Sequence, residues 1–265
     1  MIEIDGFKCY SPDLAIQNTG FDPKSFELLF KVEDKSFWFI NRNKILQHLL
    51  EKFPVEQNFL EIGCGSAYVI NYLNFKFPNI EFTGSEIYLE GLKLAKLRVS
   101  QNVKLIQFDA TQIVFNQKFD GIGAFDVIEH IDDDELVLSN IYKSLKPNGR
   151  IFISVPQYMF MWSQEDDAAC HKRRYTKKEL TNKLVEAGFK VEYVSSYMFL
   201  LFPLMLISRL IGNKTKKSDE EMIQALYPGN FLNSFLNLFA YFDYLLIKMG
   251  ISLPYGGSLL AVAKK

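Results

Sequence analysis

The sequence predicts an α/β fold in which a doubly wound, mostly parallel sheet of seven strands carries helices on both faces. Two observations predict this class. Short apolar segments alternate with helical patterns between residues 59 and 155, and a glycine-containing turn directly follows the first of these segments. A chain of 265 residues is long enough for one such domain with two additions. We expect an N-terminal cap before the sheet and a helical insertion before its last strand.

The elements of the core follow one another as strand, helix and strand. We expect helices at 68–77, 88–100, 132–145 and 177–187, and a turn at 146–149. The strands are expected at 59–62, 80–85, 103–108, 119–125, 151–155, 189–195 and 258–263. The last of these should close the sheet as an antiparallel edge strand. The whole chain, 1–265, is then a single domain, with a cap at 1–55, a core at 56–197 and 250–265, and an insertion at 198–249.

Charge and cysteine content exclude several classes of function. The formal net charge is −1, so no global basic field would attract nucleic acid. The 3 cysteines lack paired spacing, which argues against a disulfide framework and favours a reducing, cytoplasmic setting. Residues 1–10 lack the basic start and apolar run of a signal peptide.

The turn after the first strand has the form Glu61-Ile62-Gly63-Cys64-Gly65. Glycine permits backbone conformations closed to other residues and allows a ligand to approach the main chain closely. A dinucleotide fingerprint would need a small residue where Tyr68 stands, and the Gly-Lys-Ser/Thr of a phosphate loop is absent. The turn therefore suits a ligand that has a cationic amine and no phosphate.

Carboxylates follow the next strands of the predicted sheet. Glu86, Asp109 and Asp126 each stand at the end of a strand. Ligands of doubly wound sheets bind beyond these carboxyl ends, where an acid after the second strand can accept hydrogen bonds from ribose hydroxyls. Asp109 is placed to meet an exocyclic amine. Together with the glycine turn, these acids fit an adenosine.

These motifs, in this order and spacing, resemble the class I S-adenosylmethionine-dependent methyltransferases, specifically their broad small-molecule branch. The resemblance implies a Rossmann-like fold and S-adenosyl-L-methionine as cofactor, with Gly63 and Gly65 on its methionine part, Glu86 on its ribose and Asp109 on its adenine. The full set implied to bind the cofactor is Glu61, Gly63, Cys64, Gly65, Glu86, Ile87, Asp109, Ala110 and Asp126. One departure is Ala67, where the family usually has glycine.

The segment after the fifth strand resembles the acceptor side of one subset of these enzymes. The residues expected on the acceptor side are Trp38, Gln157, Trp162, Arg174 and Tyr175. An equally supported alternative is that Arg173 and Arg174 pair with Asp166 or Asp167 and only order the loop.

Two histidines are candidates for a general base, because histidine titrates near neutral pH. They are His171, which we favour as an acceptor-site residue, and His130, and the base itself is left unassigned. His48 lies on an apolar-patterned helix and is expected to be structural. No cluster of His, Cys and Asp has metal-ligand spacing, so no metal is expected. The acids at 132–135 are explained as the N-terminus of a helix.

The insertion contains two apolar segments separated by a polar loop at 213–221. The first, at 197–207, is too short to span a bilayer, which takes about 20 residues. The second, at 231–249, carries a helical apolar stripe. We expect the two to pack on each other as a lid over the acceptor. Dimerisation and contact with a membrane surface are alternatives, so the chain is expected to be a monomer or a homodimer.

The sequence thus predicts an enzyme that transfers a methyl group from S-adenosylmethionine to oxygen or nitrogen of a small or lipid-like acceptor. Nucleic acid is not an expected partner. The main alternative is a non-catalytic protein that keeps the cofactor fold as a binding module or scaffold. A nicotinamide-dependent oxidoreductase is disfavoured by Tyr68.

Overall fold

The computed structural model describes residues 2–16, 23–112, 115–211 and 226–265, and it contains one nine-stranded sheet. The order of strands across the sheet is β1-β2-β5-β4-β3-β6-β7-β9-β8. The strands are β1 (Ile2–Ile4), β2 (Phe7–Cys9), β3 (Asn58–Ile62), β4 (Glu81–Glu86), β5 (Lys104–Gln107), β6 (Phe119–Phe125), β7 (Leu145–Pro156), β8 (Lys190–Tyr197) and β9 (Ser258–Lys264). The predicted fold class, a doubly wound α/β sheet, is confirmed.

The sheet differs from the expectation at both of its edges. The strands from β2 to β7 are parallel, as predicted, but β1 and β2 extend the sheet beyond β5, which makes nine strands instead of seven. β9 is antiparallel as predicted, yet it lies between β7 and β8 and is not the edge strand. Its residues 258–263 are all buried, which is typical of an interior strand covered on both faces.

Helices connect the strands and cover both faces of the sheet. They are α1 (Pro12–Ile16), α2 (Pro23–Val32), α3 (Phe37–Lys52), α4 (Tyr68–Lys76), α5 (Leu89–Arg98), α6 (Asp134–Ser144), α7 (Gln164–Ala168), α8 (Lys177–Glu186), α9 (Phe202–Ile211) and α10 (Asn230–Lys248). The helices predicted in the core are confirmed within a few residues. The predicted turn at 146–149 lies inside β7, where Asn148 adopts a left-handed φ of 67°. The predicted polar loop at 213–221 lies outside the described residues.

Local capping explains two of the helix starts. The side chain of Asp133 accepts a hydrogen bond from the Leu136 N–H at the start of α6. At α8, Thr176 and Glu179 form a reciprocal capping box.

The insertion packs on the N-terminal part of the chain. α10 lies along α3, where Asn237 accepts a hydrogen bond from the Asn41 side chain at 2.7 Å and Asn233 accepts one from the Phe37 N–H at 2.9 Å. The predicted helix at 231–249 is therefore confirmed. Its main packing partner is α3, however, and not the first apolar segment of the insertion as expected. Apolar side chains on α9 and α10, such as Leu204, Phe231 and Phe235, are exposed. None of the described helices is long and apolar enough to cross a membrane.

A buried ion pair fastens α2 to the sheet edge that carries the glycine turn. Arg98, at the end of α5, donates to the Glu33 carboxylate and to the Ser66 hydroxyl, each at 2.5 Å. Glu33 follows α2, and Ser66 lies in the turn before α4. The side chains of Arg98 and Glu33 are both largely buried. Each charge therefore needs the other to offset the cost of its removal from water.

We predict that Arg98→Met lowers the free energy of unfolding by about 3 kcal/mol, because it leaves the Glu33 carboxylate buried without its partner. The measurement is urea denaturation. The matched control is Lys104→Met, which breaks the exposed pair with Glu81 at 3.0 Å and should cost under about 1 kcal/mol. Equal losses in the two variants would contradict the role given to Arg98.

Candidate active site

The glycine turn joins β3 to α4 at the carboxyl edge of the sheet. Gly63 and Gly65 have φ values of 63° and 52°, in the left-handed region that favours glycine. At Gly63 a Cβ would lie 2.6 Å from the Val127 side chain, so the turn packs directly on the loop after β6. Ala67 has a φ of 62° and is fully buried. Glycine is favoured in this left-handed backbone conformation, so alanine at position 67 costs about 1 kcal/mol of conformational free energy.

Glu86 links the end of β4 to the glycine turn. Its carboxylate accepts hydrogen bonds from the Gly65 N–H at 3.0 Å, from the Ile87 N–H at 2.8 Å and from the Tyr88 N–H at 3.3 Å. Burial raises the pKa of Glu86, and these three N–H groups oppose the shift. The carboxylate is thus held in one orientation at the mouth of the turn.

Asp109 and Ala110 follow β5 at the same edge. The Asp109 carboxylate accepts hydrogen bonds from the Thr111 N–H at 2.8 Å and from the Thr111 hydroxyl at 2.6 Å. The Ala110 carbonyl accepts one from the Asn140 side chain at 3.2 Å. Both residues are half-buried, so part of each faces solvent at the strand end.

The remaining residues of the predicted cofactor set lie around this turn. The Cys64 side chain is buried against Gly84, and the Ile87 carbonyl accepts a hydrogen bond from Gln107. Glu61 is buried at the end of β3, and one of its carboxyl oxygens has no hydrogen-bond partner among the described residues. The structure thus brings the whole set to one edge of the sheet, and contact of each residue with a cofactor stays a prediction.

Sequence reasoning missed a buried arginine at this edge. Arg42, on α3, donates to the Asp126 carboxylate at 2.5 Å, and its guanidinium stacks 4.6 Å from the centre of the Trp38 ring. Asp126 itself has a left-handed φ of 56°. The available signal was the Asn41-Arg42-Asn43 run on a helix whose other inward positions are apolar, since a buried cation needs a partner.

Asp166 connects the other charged side chains of the loop after β7. Its carboxylate accepts two hydrogen bonds from Arg174, at 2.7 and 2.9 Å, and lies 2.8 Å from His171 Nδ1. Burial opposes ionisation of Asp166, but the hydrogen bonds from His171 and Arg174 lower its pKa. The alternative in which Arg174 orders the loop is therefore realised. Arg173 instead pairs with Asp134 at 2.8 Å.

The other acceptor-side candidates take different positions. Tyr175 is buried and donates to the Asp134 carboxylate at 2.7 Å, so its hydroxyl holds α6 to this loop. Trp162 donates to Asp167 at 3.0 Å. Gln157 is fully buried at the end of β7, and its amide has no partner among the described side chains and backbone. Contact of these residues with an acceptor stays a prediction.

The two candidate bases lie next to each other. The rings of His130 and His171 are 4.6 Å apart between centres, although 41 positions separate them in the sequence. Burial, together with His171, lowers the pKa of His130 to about 4. His48 lies half-buried on α3, as expected for a structural histidine.

Glu129 completes a group that the sequence analysis did not recognise. One donor atom each from Glu129, His130 and His171 lies within 4.8 Å of the others. Burial raises the pKa of Glu129, and the nearby Asp126 adds to the shift. Folding forms this group, because 41 positions separate His130 from His171 in the sequence. The expectation that no metal is bound stays a prediction.

Comparisons with known proteins agree with this architecture. A (S)-coclaurine N-methyltransferase of Papaver somniferum is 33% identical over 103 residues, which are 37% of this chain and 29% of that protein. A malonyl-acyl-carrier-protein O-methyltransferase of Priestia megaterium is 30% identical over 103 residues, 38% of each chain. The chain thus matches only about a third of the length of these curated relatives.

A solved structure shows the same fold over most of the chain. The phosphoethanolamine N-methyltransferase 2 of Haemonchus contortus, in complex with phosphomonomethylethanolamine and S-adenosylhomocysteine, superposes with a TM-score of 0.61 at 19% identity. The match covers 96% of this chain and 60% of that one. Residues 36–194 match the family described as "Methyltransferase domain". The chain therefore belongs to the methyltransferase domain family, and the resemblance stated from its motifs is confirmed.

Proposed function

We propose that the chain is an S-adenosylmethionine-dependent methyltransferase that methylates oxygen or nitrogen of a small or lipid-like acceptor. The observation that carries the proposal is the convergence of the glycine turn, Glu86 and Asp109 at one edge of the sheet, inside the family's domain. The relatives and the structural neighbour named above, which include both N- and O-methyltransferases, support a small acceptor without identifying it.

The residues present fit the cofactor. Gly63 and Gly65 leave the main chain of the turn open to close approach, and Glu86 holds its carboxylate beside the Gly65 N–H. An oriented carboxylate at the end of this strand accepts hydrogen bonds from ribose hydroxyls. Asp109 and Ala110 would meet the adenine, and Glu61, near the end of β3, would lie on the side of the cationic amine.

The cofactor supplies a methyl group activated on a sulfonium, so the protein has mainly to align the acceptor and exclude water. His171 is our preferred base for an acceptor that carries a proton. Asp166 hydrogen-bonds His171 Nδ1 at 2.8 Å, which orients the ring and leaves Nε2, 4.0 Å from the Glu129 carboxylate, as the nitrogen that would accept a proton. His130 is the weaker base because burial lowers its pKa to about 4.

We assign α9 and α10 to a lid beside the acceptor, with dimerisation and membrane-surface contact as the alternatives. The exposed apolar side chains on both helices support each of these three roles. None of the described cysteines Cys9, Cys64 and Cys170 forms a disulfide, which supports a cytoplasmic setting.

We predict that Glu86→Ala weakens binding of S-adenosylhomocysteine by at least about tenfold, because the ribose hydroxyls lose a charged acceptor. Isothermal titration calorimetry measures the dissociation constant. The control is Glu56→Ala, an exposed acid before the opposite end of β3, which should leave the constant unchanged.

Each outcome decides between the proposal and an alternative. An unchanged affinity in Glu86→Ala would remove this residue from the cofactor site. A wild-type protein that does not bind S-adenosylhomocysteine would favour the non-catalytic scaffold.

The Glu61 carboxyl group has a raised pKa in this site. Burial raises its pKa to about 8, although Arg42 and the Ile70 N–H oppose the shift. The unfolded chain releases this proton near the ordinary pKa of 4.5. Between these two values the folded protein binds more protons than the unfolded one, so the contribution of Glu61 to stability falls as the pH rises.

We predict that Glu61→Gln becomes progressively more stable relative to the wild type as the pH rises from about 5 to 8. The difference should grow by at most about 1.4 kcal/mol per pH unit, because glutamine has no proton to release. Urea denaturation at several pH values measures it, with Glu56→Gln as the control. A stability difference that stays constant over this range would show that Glu61 is ionised in the folded protein.

A further inference from the structure

We propose that Glu129, His130 and His171 bind a divalent transition-metal ion beside the cofactor turn. The donor atoms of the three side chains lie within 4.8 Å of one another, and the distance from His171 Nε2 to the Glu129 carboxylate is 4.0 Å. Two ligands at about 2.0–2.2 Å from one tetrahedral ion stand about 3.3–3.6 Å apart. Side-chain movements of up to about 1 Å would therefore bring all three donors onto a common ion.

The Glu129 side chain is the main support for a cation site. It is 0% exposed, and neither of its carboxylate oxygens has a hydrogen-bond partner among the described residues. A buried carboxyl group without a partner is costly, and coordination of a metal ion is one of the few ways to satisfy it. No other function discussed above uses this side chain.

His171 is already held in the orientation that a ligand needs. Its Nδ1 is hydrogen-bonded to the Asp166 carboxylate at 2.8 Å, which leaves Nε2 directed toward Glu129. Asp166 is in turn fixed by two hydrogen bonds from Arg174. This is the carboxylate–histidine arrangement that orients histidine ligands in metal sites. The role of Arg174 is then indirect, since it positions the acid that positions His171.

The types of the ligand atoms indicate which metal ions the site would bind. Two imidazole nitrogens and one carboxylate oxygen suit zinc and ferrous iron, whereas calcium and magnesium prefer sites built from oxygen alone. Three protein ligands leave at least one coordination position open. The group therefore has the composition of a site that also binds an exogenous ligand.

The position of the group suggests what that ligand is. Glu129 stands two residues after Val127, whose side chain packs on Gly63 of the cofactor turn. If the proposed function holds, on which this step rests, the open position faces the acceptor side. An ion there would bind an acceptor oxygen and lower the pKa of its hydroxyl. This role would replace that of His171 as base, because the ion would occupy Nε2, the nitrogen that would otherwise accept the proton. The site thus favours an acceptor with a hydroxyl group.

The test is titration of the chelator-treated, full-length protein with Co²⁺, whose visible absorption reports its ligands. We expect one ion per chain, with a dissociation constant below about 10 µM. His130→Ala and His171→Ala should each weaken binding at least 100-fold. The control His48→Ala removes the third histidine of the chain, which lies on α3, and should leave binding unchanged.

Cys170, the exposed residue before His171, needs its own control. Cys170→Ser should leave both the affinity and the spectrum unchanged. A thiolate charge-transfer band that is lost in Cys170→Ser would overturn the proposed ligand set.

A second measurement avoids the risk that a variant fails to fold. The chain contains 3 histidines, so the ring signals of His130 and His171 can be followed by NMR in the wild type, with His48 as the internal reference. Zn²⁺ should shift the signals of His130 and His171 at one equivalent and leave that of His48 in place. Absence of saturable binding, or equal shifts of all three signals, would overturn the proposal.

The two proposals fail in different ways. Loss of metal binding with intact affinity for S-adenosylhomocysteine would reject the metal site and leave the proposed function standing. Stoichiometric metal binding without cofactor binding would support the ion site and reject the methyltransferase assignment.

Discussion

The carboxyl edge of the sheet depends on the compensation of buried negative charge. Glu61, Glu86, Glu129 and Asp166 are all buried there, and each buried carboxyl group must be neutralised, hydrogen-bonded or paired. Each of them meets this requirement differently. Three backbone N–H groups satisfy Glu86, while Arg174 and His171 satisfy Asp166. Glu61 retains its proton up to a pH of about 8, and Glu129 is left without a partner among the described residues.

This requirement explains why segments outside the sheet pack on its carboxyl edge. Arg42 brings α3 to Asp126 at the end of β6, and the Arg98 pair with Glu33 holds the end of α2 against the glycine turn. The hydrogen bonds between Arg174 and Asp166 order the loop after β7. The N-terminal segment and this loop thus serve both as structural partners of the sheet and as walls of the candidate site. Loss of one buried charge should therefore disturb stability and ligand binding together.

The group formed by Glu129, His130 and His171 joins the segment after β6 to the loop after β7. Its distance from the glycine turn is set by the packing of Val127 on Gly63. A metal ion there would supply the compensation that Glu129 lacks, and it would do so next to the place where a methyl group is transferred under the proposed function. Stability of the loop, occupancy of the ion site and choice of acceptor would then be coupled through Asp166.

The order of strands and helices in the core was determined by the sequence alone, because the period of the apolar residues is a local property. The same holds for the glycine turn and the acids at the strand ends, since parallel strands of a doubly wound sheet bring their carboxyl ends to one edge. Only the tertiary structure decided that β9 pairs on both sides, that β1 and β2 join the sheet, and that Arg42 meets Asp126. It also decided the contact between His130 and His171, which are far apart in the sequence. These features depend on long-range pairing of backbone and charge. A local pattern such as the Asn41-Arg42-Asn43 run can indicate a buried cation, but it does not identify the partner of that cation.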